Sequence, residues 1–126
     1  MHIPQIVIVD DDEGFRNLIA EVLTSHCPPP GVHLFADPSA ALEYVKTKGA
    51  DLIVTDVHMN GMNGLDFLKM ARIVCNCERF IVVSADPSME AEARKAGVSA
   101  FFLKPFEIRT FCNLMSSWFQ IKIGAM

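Results

Sequence analysis

Four short apolar runs in this 126-residue chain each end on a group capable of chemistry. Asp10, Asp11 and Asp12 follow Ile6-Val7-Ile8-Val9, and Asp56 follows Leu52-Ile53-Val54-Thr55. Ser84-Ala85 follows Phe80-Ile81-Val82-Val83, and Lys104-Pro105 follows Ala100-Phe101-Phe102-Leu103. If these ends meet, Asp10, Asp11 and Asp56 bring three negative charges against the single positive charge of Lys104. Carboxylates crowded in this way repel, and they hold their protons more tightly unless a cation is shared among them. An all-oxygen set suits a hard divalent ion such as Mg²⁺, which binds phosphate oxygens readily. Apart from His58, no His or Cys stands at these ends, so zinc is a poor fit. Carboxylates, a metal, a hydroxyl and an ammonium are the parts of a phosphoryl-transfer site. The metal and Lys104 would neutralise charge on the equatorial oxygens, Ser84 would donate a hydrogen bond, and a carboxylate would supply the attacking oxygen.

Each residue also has an ordinary role open to it. Asp12 suits a helix N-cap, and Asp10 or Asp11 alone would suit the same place. Asp56 alone reads as turn chemistry ahead of Asn60-Gly61. Ser84 alone is a polar residue at a strand exit, and Lys104 alone a solvated lysine. What points to chemistry is the set: complementary groups at four run ends of one short chain.

The elements that must position them follow from periodicity. The apolar runs, with Val32-His33-Leu34-Phe35 as a further one, have strand length and are rich in β-branched and aromatic residues. Between them lie helical rhythms. Phe15, Leu18, Ile19, Val22 and Leu23 follow the three/four spacing of one buried face. Ala41, Leu42 and Val45 do so after Asp37-Pro38, an N-cap followed by proline at the first helical position. Leu65, Leu68 and Arg72 form a third set, Ala91 and Ala93 a fourth, and Phe111, Leu114, Met115 and Trp118 a fifth. Gly49 and Gly97 stand where helices should end. Alternating strands and helices imply parallel strands joined by right-handed crossovers. The expected fold is α/β, a three-layer doubly wound (βα)5 sandwich whose parallel five-stranded sheet has the flavodoxin-like order 2-1-3-4-5. Such sheets bind ligands outside the carboxyl ends of their strands, where the polar groups stand.

Composition excludes several other classes. The length points to one domain over residues 1–126, with a core at about 5–119 and a C-terminal tail at 120–126. Apolar residues make up 51%, enough for a packed core. The net charge of −4 offers no long-range attraction to nucleic acid or to an anionic membrane. A mean hydropathy of +0.28 comes in short bursts, none near the roughly 18 residues of a spanning helix. No basic region precedes an apolar stretch at the N-terminus, so no secretory signal is read and a cytoplasmic protein is expected. Cys75 and Cys77 lack the second Cys/His pair of a zinc site, and with Cys27 and Cys112 they are expected to be free thiols.

The four motifs, in this order, resemble the receiver domain of response regulators in two-component signal transduction systems, the CheY-like superfamily. The matching stretches are Ile6 to Asp12, Asp56 to Gly64, Val82 to Ala85 and Phe101 to Phe106. The resemblance implies that Asp56 is the phosphoacceptor. It implies that Asp10, Asp11, Asp56 and the backbone carbonyl of His58 hold Mg²⁺, and that Ser84 and Lys104 bind phosphoryl oxygens. Phe101 matches the family's aromatic switch position, which works with the hydroxyl of Ser84; a plain core aromatic is the other reading. Pro105 would follow a cis peptide. His58 and Asp86 match positions that tune phosphate lifetime, although Asp86 also suits an N-cap before Pro87. The sequence departs from the family at Asn60, where proline is usual, and at Asn63, where aspartate is frequent; a more mobile loop after Asp56 is expected. Ser84 replaces the commoner threonine and keeps the hydroxyl.

The implied function is a switch that promotes only its own phosphorylation and dephosphorylation and is otherwise no enzyme. A phosphohistidine on a sensor histidine kinase or histidine phosphotransfer protein would donate to Asp56. The fourth helix, fifth strand and fifth helix would present the output face, to a homodimer or an output partner, with Phe106, Phe111, Met115, Trp118 and Phe119 nearby. No output domain is expected within these residues, and neither nucleic acid nor membrane is an expected partner. Two alternatives stand beside this. A haloacid-dehalogenase-like phosphatase would use Asp10 of Asp10-Asp11-Asp12 as nucleophile, but Gly14 and the missing late acidic pair disagree with it. A receiver-like binding module would signal without phosphate, leaving the Asp/Ser/Lys set without a purpose.

Overall fold

The computed structural model describes residues 2–123. In chain order the elements are β1 (Gln5–Val9), α1 (Glu13–Thr24), β2 (His26–Cys27), β3 (Gly31–Phe35), α2 (Pro38–Lys48) and β4 (Leu52–Asp56). They continue with α3 (Gly64–Val74), β5 (Phe80–Ser84), a 3-10 turn (Pro87–Met89) that runs into α4 (Glu90–Lys95), β6 (Ala100–Leu103), α5 (Ile108–Phe119) and β7 (Lys122–Ile123). Five strands form one parallel sheet in the order β3-β1-β4-β5-β6. Counted within that sheet, this is the expected 2-1-3-4-5.

Strand side chains alternate between faces, and the core divides accordingly. Val7, Val9, Ile53 and Val82 point to one side, against Ala41 and Val45 of α2 and Phe67, Leu68 and Ala71 of α3. Ile6, Ile8, Leu52, Val54, Ile81 and Val83 point to the other, against Ile19 and Leu23 of α1 and Phe111 and Met115 of α5. Burying each such side chain is worth about 1.5–3 kcal/mol, so both helical layers are held by the pattern of the runs.

The starts of α1 and α2 follow the expected chemistry. Asp12 caps α1, and its carboxylate accepts from the amides of Gly14 and Phe15 at 3.0 and 3.3 Å. Asp37 caps α2 with Pro38 buried behind it, and Gly49 ends that helix at φ 73°. The cap of α3 is Asn63, whose side chain accepts from the amide of Leu65 at 2.7 Å.

Three features depart from the expectation. Leu18, placed on the buried face of α1, is 47% exposed, while Ile19 and Leu23 on the same helix are fully buried. Arg72 is also exposed; its guanidinium donates to the carbonyls of Ala96 and Gly97 and lies over the ring of Phe80. Finally, β2 and β7 form a small antiparallel sheet, with His26 opposite Ile123 and Cys27 opposite Lys122. The expected tail is thus ordered over its described part, with Ile121 buried and its carbonyl accepting from Ser116 Oγ at 2.7 Å. Residues 124–126 of that tail lie outside the described residues.

Candidate functional site

The carboxyl ends of β1, β4, β5 and β6 open on one edge of the sheet. Register places Val9 beside Thr55, Asp56 beside Val83 and Ser84 beside Leu103, so the polar groups that follow must be neighbours. One ligand oxygen from each of Asp10, Asp11 and Asp56 lies within 4.8 Å of the others. Asp11 is exposed, Asp56 half-buried and Asp10 fully buried.

Burial of Asp10 is compensated on every side. Its amide donates to the carbonyl of Phe35 at 3.0 Å. Its Oδ1 accepts from the amide of Asp12 at 2.9 Å, and its Oδ2 from Lys104 Nζ at 2.7 Å. Arg16 donates to its carbonyl at 2.6 Å. Burial pushes the Asp10 carboxyl above its ordinary pKa, outweighing the downward pull of Lys104 and the Asp12 amide. The Lys104 ammonium also reaches Asp56 Oδ2 at 3.3 Å, and it rests 4.2 Å from the centre of the Phe15 ring. Burial alone would lower the pKa of Lys104, but its bond to Asp10 and the charges of Asp10 and Asp56 together hold it above the ordinary 10.5.

Asp56 is fixed from its own loop. Its Oδ1 accepts from the amides of Val57 and His58 at 2.7 and 3.4 Å. Its carbonyl accepts from Thr55 Oγ1 at 2.9 Å. Gly64 lies directly against that carbonyl: a Cβ there would stand 1.9 Å from the Asp56 oxygen. Only glycine allows this approach of backbone to backbone. The amide of Gly64 closes the loop by donating to the carbonyl of Val57 at 2.8 Å.

Ser84 ends β5 fully buried, and its Oγ accepts from the amide of Asp86 at 3.1 Å. The amide of Lys104 donates to the carbonyl of Ser84 at 2.8 Å, tying the ends of β5 and β6 together. The Lys104–Pro105 peptide is cis, as is Cys27–Pro28. Phe101 is half-buried and packs on the α2–α3 side of the sheet. Asp86 takes the capping role, accepting from the amide and hydroxyl of Ser88 at 2.9 and 2.6 Å; these bonds, above all the hydroxyl's, hold its carboxyl below the ordinary pKa. It also stands 3.5 Å from His58 Nε2, so the residues two places beyond Asp56 and Ser84 face each other.

Sequence reasoning missed Phe15, Arg16 and Gly64 as parts of this site. Phe15 carries only the rhythm of a buried helix face. Gly64 reads as the flank of a helix, since nothing in its spacing reveals the carbonyl it approaches. The donor set around Asp10, Asp11 and Asp56 is oxygen throughout and carries excess negative charge, which fits a hard cation. Beside it, an apolar cavity of about 540 Å³ runs between α1 and the start of α5, lined by Phe15, Leu18, Lys104, Pro105, Phe106 and Ile108.

A chain with this sheet order and this acidic edge has the architecture of a receiver domain. Residues 6–116 match the response regulator receiver domain family, and the chain belongs to it. It is 30% identical over 122 residues to sporulation initiation phosphotransferase F of Bacillus subtilis, covering 94% of this chain and 95% of that protein. It is 32% identical over 115 residues to the cyclic di-GMP phosphodiesterase response regulator RpfG of Xanthomonas campestris, covering 86% of this chain but 30% of that protein. A solved receiver domain from Methanospirillum hungatei superposes with a TM-score of 0.81 at 22% identity, covering 92% of this chain and 93% of the other. The domain has the phosphoacceptor role of two-component signalling, a role that implies a histidine kinase or phosphotransferase as donor.

Proposed function

We propose that residues 5–119 act as a single receiver domain in which Asp56 accepts a phosphoryl group from a phosphohistidine. The reading is supported most by one observation: Lys104 Nζ is shared between Asp10 Oδ2 and Asp56 Oδ2 at 2.7 and 3.3 Å, beside a cluster of three carboxylates. Asp56 Oδ1 is tied to loop amides, so Oδ2, facing Lys104, is the oxygen free to attack phosphorus. As the new P–O bond forms, the P–N bond to the donor imidazole breaks and its electron pair returns to the ring. Lys104 moves from the carboxylates to one phosphoryl oxygen, and the hydroxyl of Ser84 binds another.

Asp10, Asp11, Asp56 and the backbone carbonyl of His58 would hold a divalent cation, read as Mg²⁺, which supplies charge neutralisation on the phosphoryl oxygens when bound. The phosphoryl group adds about −2 of charge and biases an element made of Ser84 and Phe101 between two arrangements. The output face is α4, β6 and α5. No helix among the described residues is long and apolar enough to cross a membrane, and we place the protein in the cytoplasm. The phosphatase alternative is disfavoured because Asp10, its nucleophile, is fully buried, whereas Asp56 is only half-buried.

The test is labelling by acetyl phosphate with Mg²⁺. The unaltered protein gains one phosphoryl group on Asp56, and D56N gains none. Undiminished labelling of D56N overturns the assignment.

A further inference from the structure

Phe15 has no part in the phosphoryl-transfer scheme above, yet it touches the group on which that scheme turns. Its ring centre lies 4.2 Å from Lys104 Nζ. The ring also meets Phe106 edge to face, with centres 6.0 Å apart. Phe106 in turn packs on Phe102 and Phe111 at 4.9 and 6.2 Å. The ring is therefore held by an aromatic cluster rooted in β6 and α5, and it presents its face to an ammonium.

A lysine side chain has four flexible carbons and loses considerable entropy when its end is fixed. Lys104 is only 18% exposed, and its ammonium lies against the Phe15 ring and the carboxylates of Asp10 and Asp56. The carboxylates pull it toward the acidic cluster, and the negative face of the ring attracts it where both side chains line the adjoining cavity. An aliphatic residue at position 15 would fill similar space but offer no quadrupole.

We infer that Phe15 is a positioning residue: its ring face holds the Lys104 ammonium at the edge of the Asp10/Asp56 pair, ready to receive a phosphoryl oxygen. The inference rests on the role given to Lys104 above. It adds that the contact is electrostatic and specific to an aromatic side chain. When Lys104 advances onto the phosphoryl group it leaves the ring, and the Phe15–Phe106 pair lining the cavity loses its cation.

The test compares F15L with F15W. Proton NMR of the unphosphorylated protein without Mg²⁺ reads the Lys104 Cε protons, which the ring shifts upfield. The upfield shift disappears in F15L and persists in F15W. Phosphorylation by acetyl phosphate slows about three- to tenfold in F15L, in the maximal rate rather than in half-saturation, and returns to within about twofold in F15W. An unshifted Lys104 signal in the unaltered protein overturns the inference, as does equal slowing of both variants. Both results are separate from the phosphoacceptor assignment, which fails only if the unaltered protein is not labelled on Asp56. Melting temperatures identify a variant damaged in packing; for such a variant the NMR comparison with F15W alone decides.

Discussion

Lys104 Nζ and Asp10 Oδ2 stand 2.7 Å apart across 94 positions of sequence, at the ends of two strands that are not neighbours in the sheet. The pair closes the acidic edge: β4 and β5 lie between β1 and β6, and the lysine must reach over them to find Asp10. A charge pair this buried is weak evidence of net stabilisation, because both ions are desolvated. Its consequence is that neither partner can be removed cheaply.

Replacing Lys104 with methionine keeps the length of the side chain and deletes the charge. Asp10 is then a buried carboxylate with no counter-ion, and urea unfolding at pH 7 should show a loss of about 1–3 kcal/mol. The deficit should shrink toward pH 4, because the Asp10 carboxyl, already above its ordinary 3.8, accepts a proton in place of the lysine. On the alkaline side the contribution of Lys104 is undiminished up to the ordinary 10.5 and is lost as pH rises through its raised pKa; on the acid side it fades as Asp10 takes up its proton. A K104M deficit that stays constant from pH 4 to 7 would contradict this.

The cysteines differ sharply in reactivity. Burial foremost pushes the Cys77 thiol up to about 11. At pH 7.5 the thiolate, the reactive form, is then a very small minority. Cys112 is also buried and raised, whereas Cys27 is exposed. Maleimide labelling followed by peptide mass spectrometry should find Cys27 modified first and Cys77 only after denaturant is added. Equal rates at Cys27 and Cys77 in the folded protein would count against the packing at the end of α3.

Asp10, Asp11, Asp56, Ser84 and Lys104 were legible from sequence because each stands at the carboxyl end of an apolar run, and parallel alternation places all such ends on one edge. Asp12, Asp37 and Asp86 were legible as caps because capping is a local matter of side chain and nearby amide. The contact of Phe15 with Lys104 was not legible, since it depends on how α1 leans toward the β6–α5 connection. The exposure of Leu18 has the same origin: the helical rhythm marks a face, and the neighbouring cavity leaves part of that face uncovered. The pairing of β2 with β7 was hidden because two-residue strands carry no periodicity.

Gly64 gives a prediction that composition could not. A methyl group there would collide with the Asp56 carbonyl, where the neighbouring atoms are backbone and have little room to yield. G64A should lose roughly 1–3 kcal/mol of stability by urea unfolding. Because relief of the clash must move Asp56 itself, acetyl phosphate labelling should slow by on the order of 10²-fold even where the protein remains folded. A folded G64A that labels at the unaltered rate would show that the loop adapts without moving Asp56.

Metal binding should depend on pH through Asp10. Its carboxyl holds a proton more tightly than an ordinary aspartate because it is buried, so protons and Mg²⁺ compete for the same oxygens. Above that raised pKa the carboxylate is fully available and the affinity should be flat. As pH falls through it, affinity should decline by up to about tenfold per unit for the single proton involved. Thermal shift titrations with Mg²⁺ between pH 4.5 and 8 measure this, since a ligand that binds only the folded state stabilises it by RT ln(1 + [L]/Kd) and raises the melting temperature accordingly. D10N removes the competing proton along with the charge, so its Mg²⁺ affinity should be weaker at every pH and nearly independent of pH in the range where the unaltered protein declines. A decline of the same steepness in D10N would move the competing proton to another carboxylate.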